Sequence, residues 1–176
     1  MLELAAGTRQ VRHAGLRYVL EEPLELPPGC FLHLTGENGA GKTTFLEHVL
    51  IPELRENHRL LYLAQDMELQ RNTMRATLAL LGQTAPAGLA DLALAWVEAS
   101  GCREAIVLDE FDKHLTPDQL RALNLPRFTW AVVVSHLSGA GAAARTGFAH
   151  GRELRFTRPR SDGPDVILEA ITLWPA

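Results

Sequence analysis

Eight consecutive residues, Gly36-Glu37-Asn38-Gly39-Ala40-Gly41-Lys42-Thr43, spell G-x-x-x-x-G-K-[ST]. Glycines at these spacings let successive backbone N–H groups curl inward into an anion-binding nest. Lys42 at the end of such a loop reaches the β- and γ-phosphates of a nucleotide, and the neighbouring Thr43 hydroxyl is a ligand for Mg²⁺. A second pair of chemical residues, Asp109-Glu110, closes the apolar run Ala105-Ile106-Val107-Leu108. An acid at the end of a buried strand is placed to hold Mg²⁺, often through water. The next carboxylate, Glu110, points elsewhere and is free to accept a proton from an attacking water. Together these residues imply a nucleoside triphosphate bound with Mg²⁺.

The elements that must position them are legible on either side. Cys30 to Thr35 has the length and composition of a buried strand, and Lys42 to Leu50 carries Phe45, Leu46, Val49 and Leu50 at helical spacing. Strand, glycine loop and helix are the context this motif requires, and the helix adds its positive end to the same point. Arg59 to Ala64, Ala105 to Leu108 and Trp130 to Val134 read as further buried strands. Leu69 to Leu81 and Leu89 to Ala99 read as helices, separated by Gly82 to Gly88 with Pro86 inside the break. Continuous apolar runs alternating with helices predict an α/β fold with a mostly parallel sheet covered on both faces. Leu2 to Leu26 has no helical period; Leu16 to Leu20 and Leu24 to Leu26 are expected as antiparallel strands, closed by Pro27-Pro28-Gly29. Glu153 to Thr157 and Val166 to Leu173 are expected as a C-terminal β-hairpin. Ligands of open α/β sheets bind beyond the carboxyl ends of the strands. Those ends are the glycine loop, Gln65, Asp109-Glu110 and Ser135-His136.

A chain of 176 residues with 47% hydrophobic and 22% charged side chains is long enough for a real core and ordinary for a globular domain. Its formal charge of −4 supplies no global attraction to nucleic acid. Cys30 and Cys102 lie in or beside buried runs and are expected as free thiols. No basic start followed by an apolar run opens the chain, and no segment approaches the roughly 18 apolar residues that cross a bilayer. A cytoplasmic location is therefore expected.

The order of these groups resembles the ATP-binding cassette (ABC) ATPase family over roughly residues 1–140. Leu34 to Thr44 is similar to that family's Walker A segment, including the Asn-Gly-Ala-Gly core at Asn38 to Gly41. The resemblance implies that ATP and Mg²⁺ are bound, with Thr44 among the phosphate contacts. It makes Gln65 the Q-loop glutamine that meets Mg²⁺ and the attacking water, and Ala105 to Glu110 the Walker B strand with the catalytic glutamate. It makes His136 the switch histidine at the γ-phosphate. It also implies a flat side chain stacked on adenine; His13 and Tyr18 both fit, and spacing does not choose between them.

Two departures from the family qualify what is implied. Where the family carries its LSGGQ signature, this chain has Ala85-Pro86-Ala87-Gly88-Leu89, with Pro86 in place of the serine and Leu89 in place of the glutamine. Proline offers neither a hydroxyl nor an N–H, so a contact to another subunit's γ-phosphate is lost. Asp112 to Thr116 resembles the D-loop but ends in threonine instead of aspartate, and Leu137-Ser138-Gly139 reads as an ordinary turn. Gln65 and Asp109 are 44 positions apart, so the helical insertion, about 66–100, is half the family's usual length. That argues against a transporter subunit. The resulting expectation is one nucleotide-binding domain over residues 1–176 that hydrolyses ATP slowly or with an unidentified protein partner, and that forms no ATP-driven homodimer. Two alternatives stand beside it: an ATP-dependent binding module or switch, and a small-molecule kinase using Arg152, Arg155, Arg158 and Arg160 as a lid.

Overall fold

The computed structural model describes residues 1–110, 113–137, 141–142, 146–148, 150–160 and 162–174. Its frame is an eight-stranded sheet in the order β2-β3-β10-β9-β5-β8-β7-β6. The strands are β2 (Gly7–Val11), β3 (Leu16–Leu20), β5 (Cys30–Gly36), β6 (Leu60–Leu63), β7 (Ala105–Asp109), β8 (Trp130–Val134), β9 (His150–Thr157) and β10 (Asp165–Trp174). From β9 through β5, β8 and β7 to β6 every neighbour is parallel. A separate two-stranded antiparallel sheet joins β1 (Leu2–Leu4) to β4 (Leu24–Leu26).

Each central strand is apolar along its whole length because both of its faces are covered. Alternate side chains enter opposite cores, as the pleat dictates. Leu32, Val107, Val132 and Val134 pack with Phe45, Leu46 and Leu50 on one side. Phe31, Ile106, Leu108 and Val133 pack with Met74, Leu78, Leu92 and Val97 on the other. Those last four residues come from α3 (Arg71–Leu80) and α4 (Leu89–Ser100), the pair that forms the helical insertion. Asp66 caps a 3-10 turn over Met67–Gln70, so α3 begins at Arg71, later than the apolar spacing alone suggests.

The helix after the glycine loop is not uniform. It runs as α1 (Lys42–Phe45), a wide π-type turn (Leu46–Leu50) and α2 (Ile51–Asn57). Pro52 has no N–H, so an α ladder would break at the bond it owes to the carbonyl four residues back. The wide turn lies just before it, where Ile51 N–H donates to the Leu46 carbonyl. After β7 comes α5 (Pro117–Leu123), opened by a reciprocal cap in which Thr116 and Gln119 bond each other's backbone. Thr116 thus has a helix-capping task.

Both ends of the chain differ from expectation. β3 and β4 are antiparallel strands, but they lie in two sheets: β3 pairs with β2, and β4 with β1. The C-terminal hairpin is part of the central sheet. β9 lies parallel beside β5, and β10 joins β3 in parallel, which ties the N-terminal strands to the rest. β9 fits there because Leu154 and Phe156 enter one core while Gly151 leaves room for Phe31. A Cβ on Gly151 would lie 2.2 Å from the Phe31 ring. Gly151→Ala is therefore expected to overpack the sheet at a cost of about 1–3 kcal/mol. Its melting midpoint should fall by roughly 2–4 °C for each kcal/mol; an unchanged midpoint would show that Phe31 repacks freely.

Candidate functional site

The glycine loop leaves the end of β5 at Gly36 and enters α1 at Lys42. Gly36, Gly39 and Gly41 have φ of 140°, 77° and 91°, which L side chains rarely adopt. Gly36 is also pressed against β9, where a Cβ would come within 2.6 Å of the Phe156 carbonyl oxygen. Lys42 is buried, and its Nζ donates to the Gly36 and Glu37 carbonyls at 2.8 and 2.9 Å. Burial lowers the Lys42 ammonium's pKa, while the charges of Glu110 and Asp109 work in the opposite direction. Its position at the mouth of the nest is held by the loop's own backbone.

Asp109 ends β7 in a buried position, and Thr43 donates its hydroxyl to Oδ2 at 3.0 Å. The other oxygen, Oδ1, is buried and has no hydrogen-bond partner among the described residues. Burial pushes the Asp109 carboxyl up to about 6; the Thr43 bond and Lys42 oppose this, and the Glu110 and Glu47 charges add to it. A buried carboxylate with one unanswered oxygen beside a hydroxyl suits a hard cation such as Mg²⁺, which takes oxygen ligands. No group of three or more His, Cys, Asp or Glu side chains able to hold a metal occurs among the described residues. Mg²⁺ does not need one, since it is usually held by one or two carboxylates with phosphate and water completing the shell.

Glu110 follows in a left-handed conformation with φ of 49°, its N–H tied to the Val134 carbonyl at 2.8 Å. Such a backbone on a non-glycine residue costs about 1–3 kcal/mol and collects at functional sites. It turns the side chain away from Asp109 and toward the ends of the neighbouring strands. Gln65 Nε2 donates to Glu110 Oε2 at 2.7 Å, and His136 Nε2 lies 3.3 Å from Oε1. Lys113 also donates to Oε2. Burial raises the Glu110 carboxyl's pKa, but the bonds and charges of Lys113 and His136 outweigh it and leave the pKa below the ordinary value. His114 Nε2 meets the Gln65 carbonyl, which braces the glutamine from behind.

Two clusters therefore contain most of the residues singled out in the sequence: Lys42, Thr43 and Asp109, and Gln65, Glu110 and His136. β8 creates their proximity by lying between the loop strand β5 and the acid strand β7, with Val134 level with both Leu34 and Asp109. Gln65 contacts Glu110 rather than Asp109. Tyr18 is a correction. Its ring is wholly enclosed against Phe45 and Phe156, so no face is left for a base. Its hydroxyl instead donates to the Gly41 carbonyl at 2.8 Å and supports the loop from beneath. Burial pushes that phenol up to about 12, against a Thr44 hydrogen bond and the Arg158 charge. His13 is exposed in the turn between β2 and β3, 3.3 Å from His48. Lys113 gave no signal in the sequence, because its reach to Glu110 depends on the positive φ there. Asp112, Ser138 and Gly139 lie outside the described residues.

The glycine loop between β5 and α1, opening at the carboxyl end of a parallel sheet with helices on both faces, defines the P-loop NTPase fold. No protein-family model matches the chain, and no curated protein matches its sequence. Among solved structures it is similar to a chain from the crystal structure of an archaeal ribosomal stalk protein bound to an archaeal ribosome recycling factor. The TM-score is 0.50 at 14% identity over 88% of this chain. This chain spans 41% of that one's length. A KaiC-like protein of Pyrococcus horikoshii follows at 0.49 and 18%, covering 84% of this chain and 80% of that one. The flagellar accessory protein FlaH of Methanocaldococcus jannaschii follows at 0.46 and 14%, covering 84% and 79%. At 14% identity the first likeness is one of fold alone. Among the described residues no helix is long and apolar enough to cross a membrane.

Proposed function

We propose that this chain is a compact ABC-type ATPase, one cytoplasmic nucleotide-binding unit over residues 1–176, that binds Mg·ATP with its own groups. The observation that carries this is the meeting of Gln65, Glu110 and His136, from three strand ends, beside the Lys42–Thr43–Asp109 cluster. Simple phosphate binding needs the loop and Lys42. An added amide, carboxylate and imidazole at one point supply what water attack on phosphorus needs: orientation, a proton acceptor and a donor to the phosphoryl oxygens.

In this reading residues 36–44 cradle the phosphates and Lys42 places its ammonium on the β- and γ-oxygens. Thr43 and Asp109 would hold Mg²⁺, together with Gln65. The ion, when bound, neutralises charge building on the phosphates. Gln65 orients a water, Glu110 takes its proton, and His136 donates to the γ-phosphoryl group. His13, at the exposed end of β2, is the side chain left to meet adenine.

Turnover in this reading is slow. Lys113 and Gln65 both occupy Glu110 Oε2, and the lowered basicity that results makes Glu110 a reluctant proton acceptor. The same contact favours a switch, in which ATP controls association with a protein partner and hydrolysis merely resets it. Phosphate release by the purified chain, measured alone and with partners captured on immobilised Glu110→Gln protein, tests both. Release dependent on Glu110 supports the ATPase; ATP-dependent capture without release supports the switch; the absence of both overturns the proposal.

The partner-facing groups bear on assembly. Residues 85–88 form the approach to α4, and Gly88 is the residue just before its first turn. With Pro86 and Leu89 beside it, this segment offers backbone N–H groups but no hydroxyl or amide side chain to another copy's nucleotide. Light scattering on Glu110→Gln protein is expected to give one mass with and without Mg·ATP. An ATP-induced doubling would show that the segment still closes a symmetric pair and would overturn the cis-only site.

A further inference from the structure

Resting on the reading in which His13 meets adenine, we propose that His48 is a positioning residue for the base. It fixes the His13 ring against the helix that follows the phosphate loop, and so lets the base add affinity to that of the triphosphate. The two histidines are 35 positions apart in sequence, yet His13 Nε2 lies 3.3 Å from His48 Nε2. Their rings cross at 73° with centroids 4.3 Å apart. Edge-to-face contact is a preferred geometry for flat rings. A contact between two ring nitrogens also fixes the hydrogens. One Nε2 carries the hydrogen and the other offers its lone pair, so the accepting ring, when neutral, keeps its hydrogen on Nδ1. Both side chains are exposed. A free exposed histidine would sample several rotamers, and a base that stacks on it would have to remove that freedom.

The surroundings of the pair give the contact its task. His48 lies four residues beyond Thr44, about one turn past the last residue assigned to the phosphates. It belongs to the wide turn Leu46–Leu50, and π-type turns are rare and collect at functional sites. His13 approaches from the other side. It sits in a single 3-10 turn, Arg12–Ala14, closed by the left-handed Gly15, whose N–H donates to the Arg12 carbonyl at 3.1 Å. The strand leading into that turn is tied to the same helix at two further points. Arg9 Nε pairs with Glu53 Oε1 at 3.0 Å, and Val11 is buried in one core with Leu46 and Val49. These contacts hold the backbone of the turn; the two torsions of the His13 side chain are left to His48.

The test is calorimetric titration of the full chain with Mg·ATP and with Mg·tripolyphosphate, which has no base. His48→Ala should weaken ATP binding about three- to tenfold, the cost of ordering one free side chain, and leave tripolyphosphate unchanged. His48→Gln, whose amide keeps a donor and an acceptor, should restore most of the loss. Because His48 acts through His13, adding it to His13→Ala should weaken ATP no further than His13→Ala alone. In ¹⁵N NMR spectra of the parent, one of the two rings should carry its hydrogen on Nδ1 and the other on Nε2. ATP affinity that survives His48→Ala but falls with His13→Ala overturns the role of His48 and spares His13 as the base contact. Affinity that survives both changes removes the base contact itself, and the role of His48 with it. Equal losses of ATP and tripolyphosphate would mean that His48 serves the loop or the fold, which also overturns the positioning role.

Discussion

Glu110→Gln is expected to lower ATP turnover by about 10²- to 10⁴-fold, the contribution of a positioned general base, while leaving ATP affinity within a few fold. The amide matches the carboxylate in shape, so Gln65 and the Val134 carbonyl keep their partners at this position. It cannot take a proton from water. What it does lose is the charge that faces Lys113 and His136, and the Lys113 side chain is half-exposed, so water takes over its ammonium. The variant should therefore fold as the parent does. Single-turnover phosphate release separates the chemical step from nucleotide binding. A variant that hydrolyses ATP at the parent rate would remove Glu110 from the role of base and leave His136 or bulk water to account for any activity.

The parts that sequence made legible are those whose physics is local. A glycine pattern, a lysine and a hydroxyl on adjacent positions need only one turn of chain to become a phosphate nest. β5, β7 and β8 are covered on both faces, so their apolar runs are continuous, and each polar ending marks the sheet's carboxyl edge. Other features depend on contacts far apart in sequence. For stacking on adenine the sequence leaves His13 open and, equally, Tyr18. Only the assembly of β3 against Phe45 and Phe156 encloses it and aims its hydroxyl at Gly41. β9 is expected as half of a C-terminal hairpin, but its place beside β5, with polar residues alternating among apolar ones, depends on partners far off in sequence. Those polar residues, Glu153 and Arg155 among them, turn out to wall a cavity. Lys113 meets Glu110 at a left-handed backbone that nothing in the local sequence pattern announces. The π-type turn before Pro52 is intermediate. Pro52 breaks the α ladder locally, and how the helix absorbs the break is a matter of packing.

Lys42→Ala is expected to weaken ATP binding more than any other single change in the chain. Its ammonium is held 2.8 and 2.9 Å from two carbonyls of the loop it serves, so it is already ordered where phosphate oxygens are expected. Preorganisation of this kind removes the side-chain entropy that a free lysine gives up on binding, about 0.5–1.5 kcal/mol. Each charge-assisted hydrogen bond is worth about 1.5–3 kcal/mol, so the lost contacts correspond to a weakening of roughly tenfold to more than a hundredfold. Burial adds to the effect. The site already holds the Asp109 and Glu110 carboxylates, which oppose an incoming anion, and Lys42 offsets part of their charge from within the loop. Removing it leaves those charges facing the phosphates. Lys42→Met separates charge from packing: it keeps most of the aliphatic stem and should bind ATP as poorly as the alanine variant. Calorimetric titration with Mg·ATP provides the measurement, and a melting curve shows whether the two carbonyl bonds mattered to the fold. If both variants bind ATP like the parent, the loop is not the phosphate site, and the hydrolytic roles given to Glu110, Gln65 and His136 fall with it.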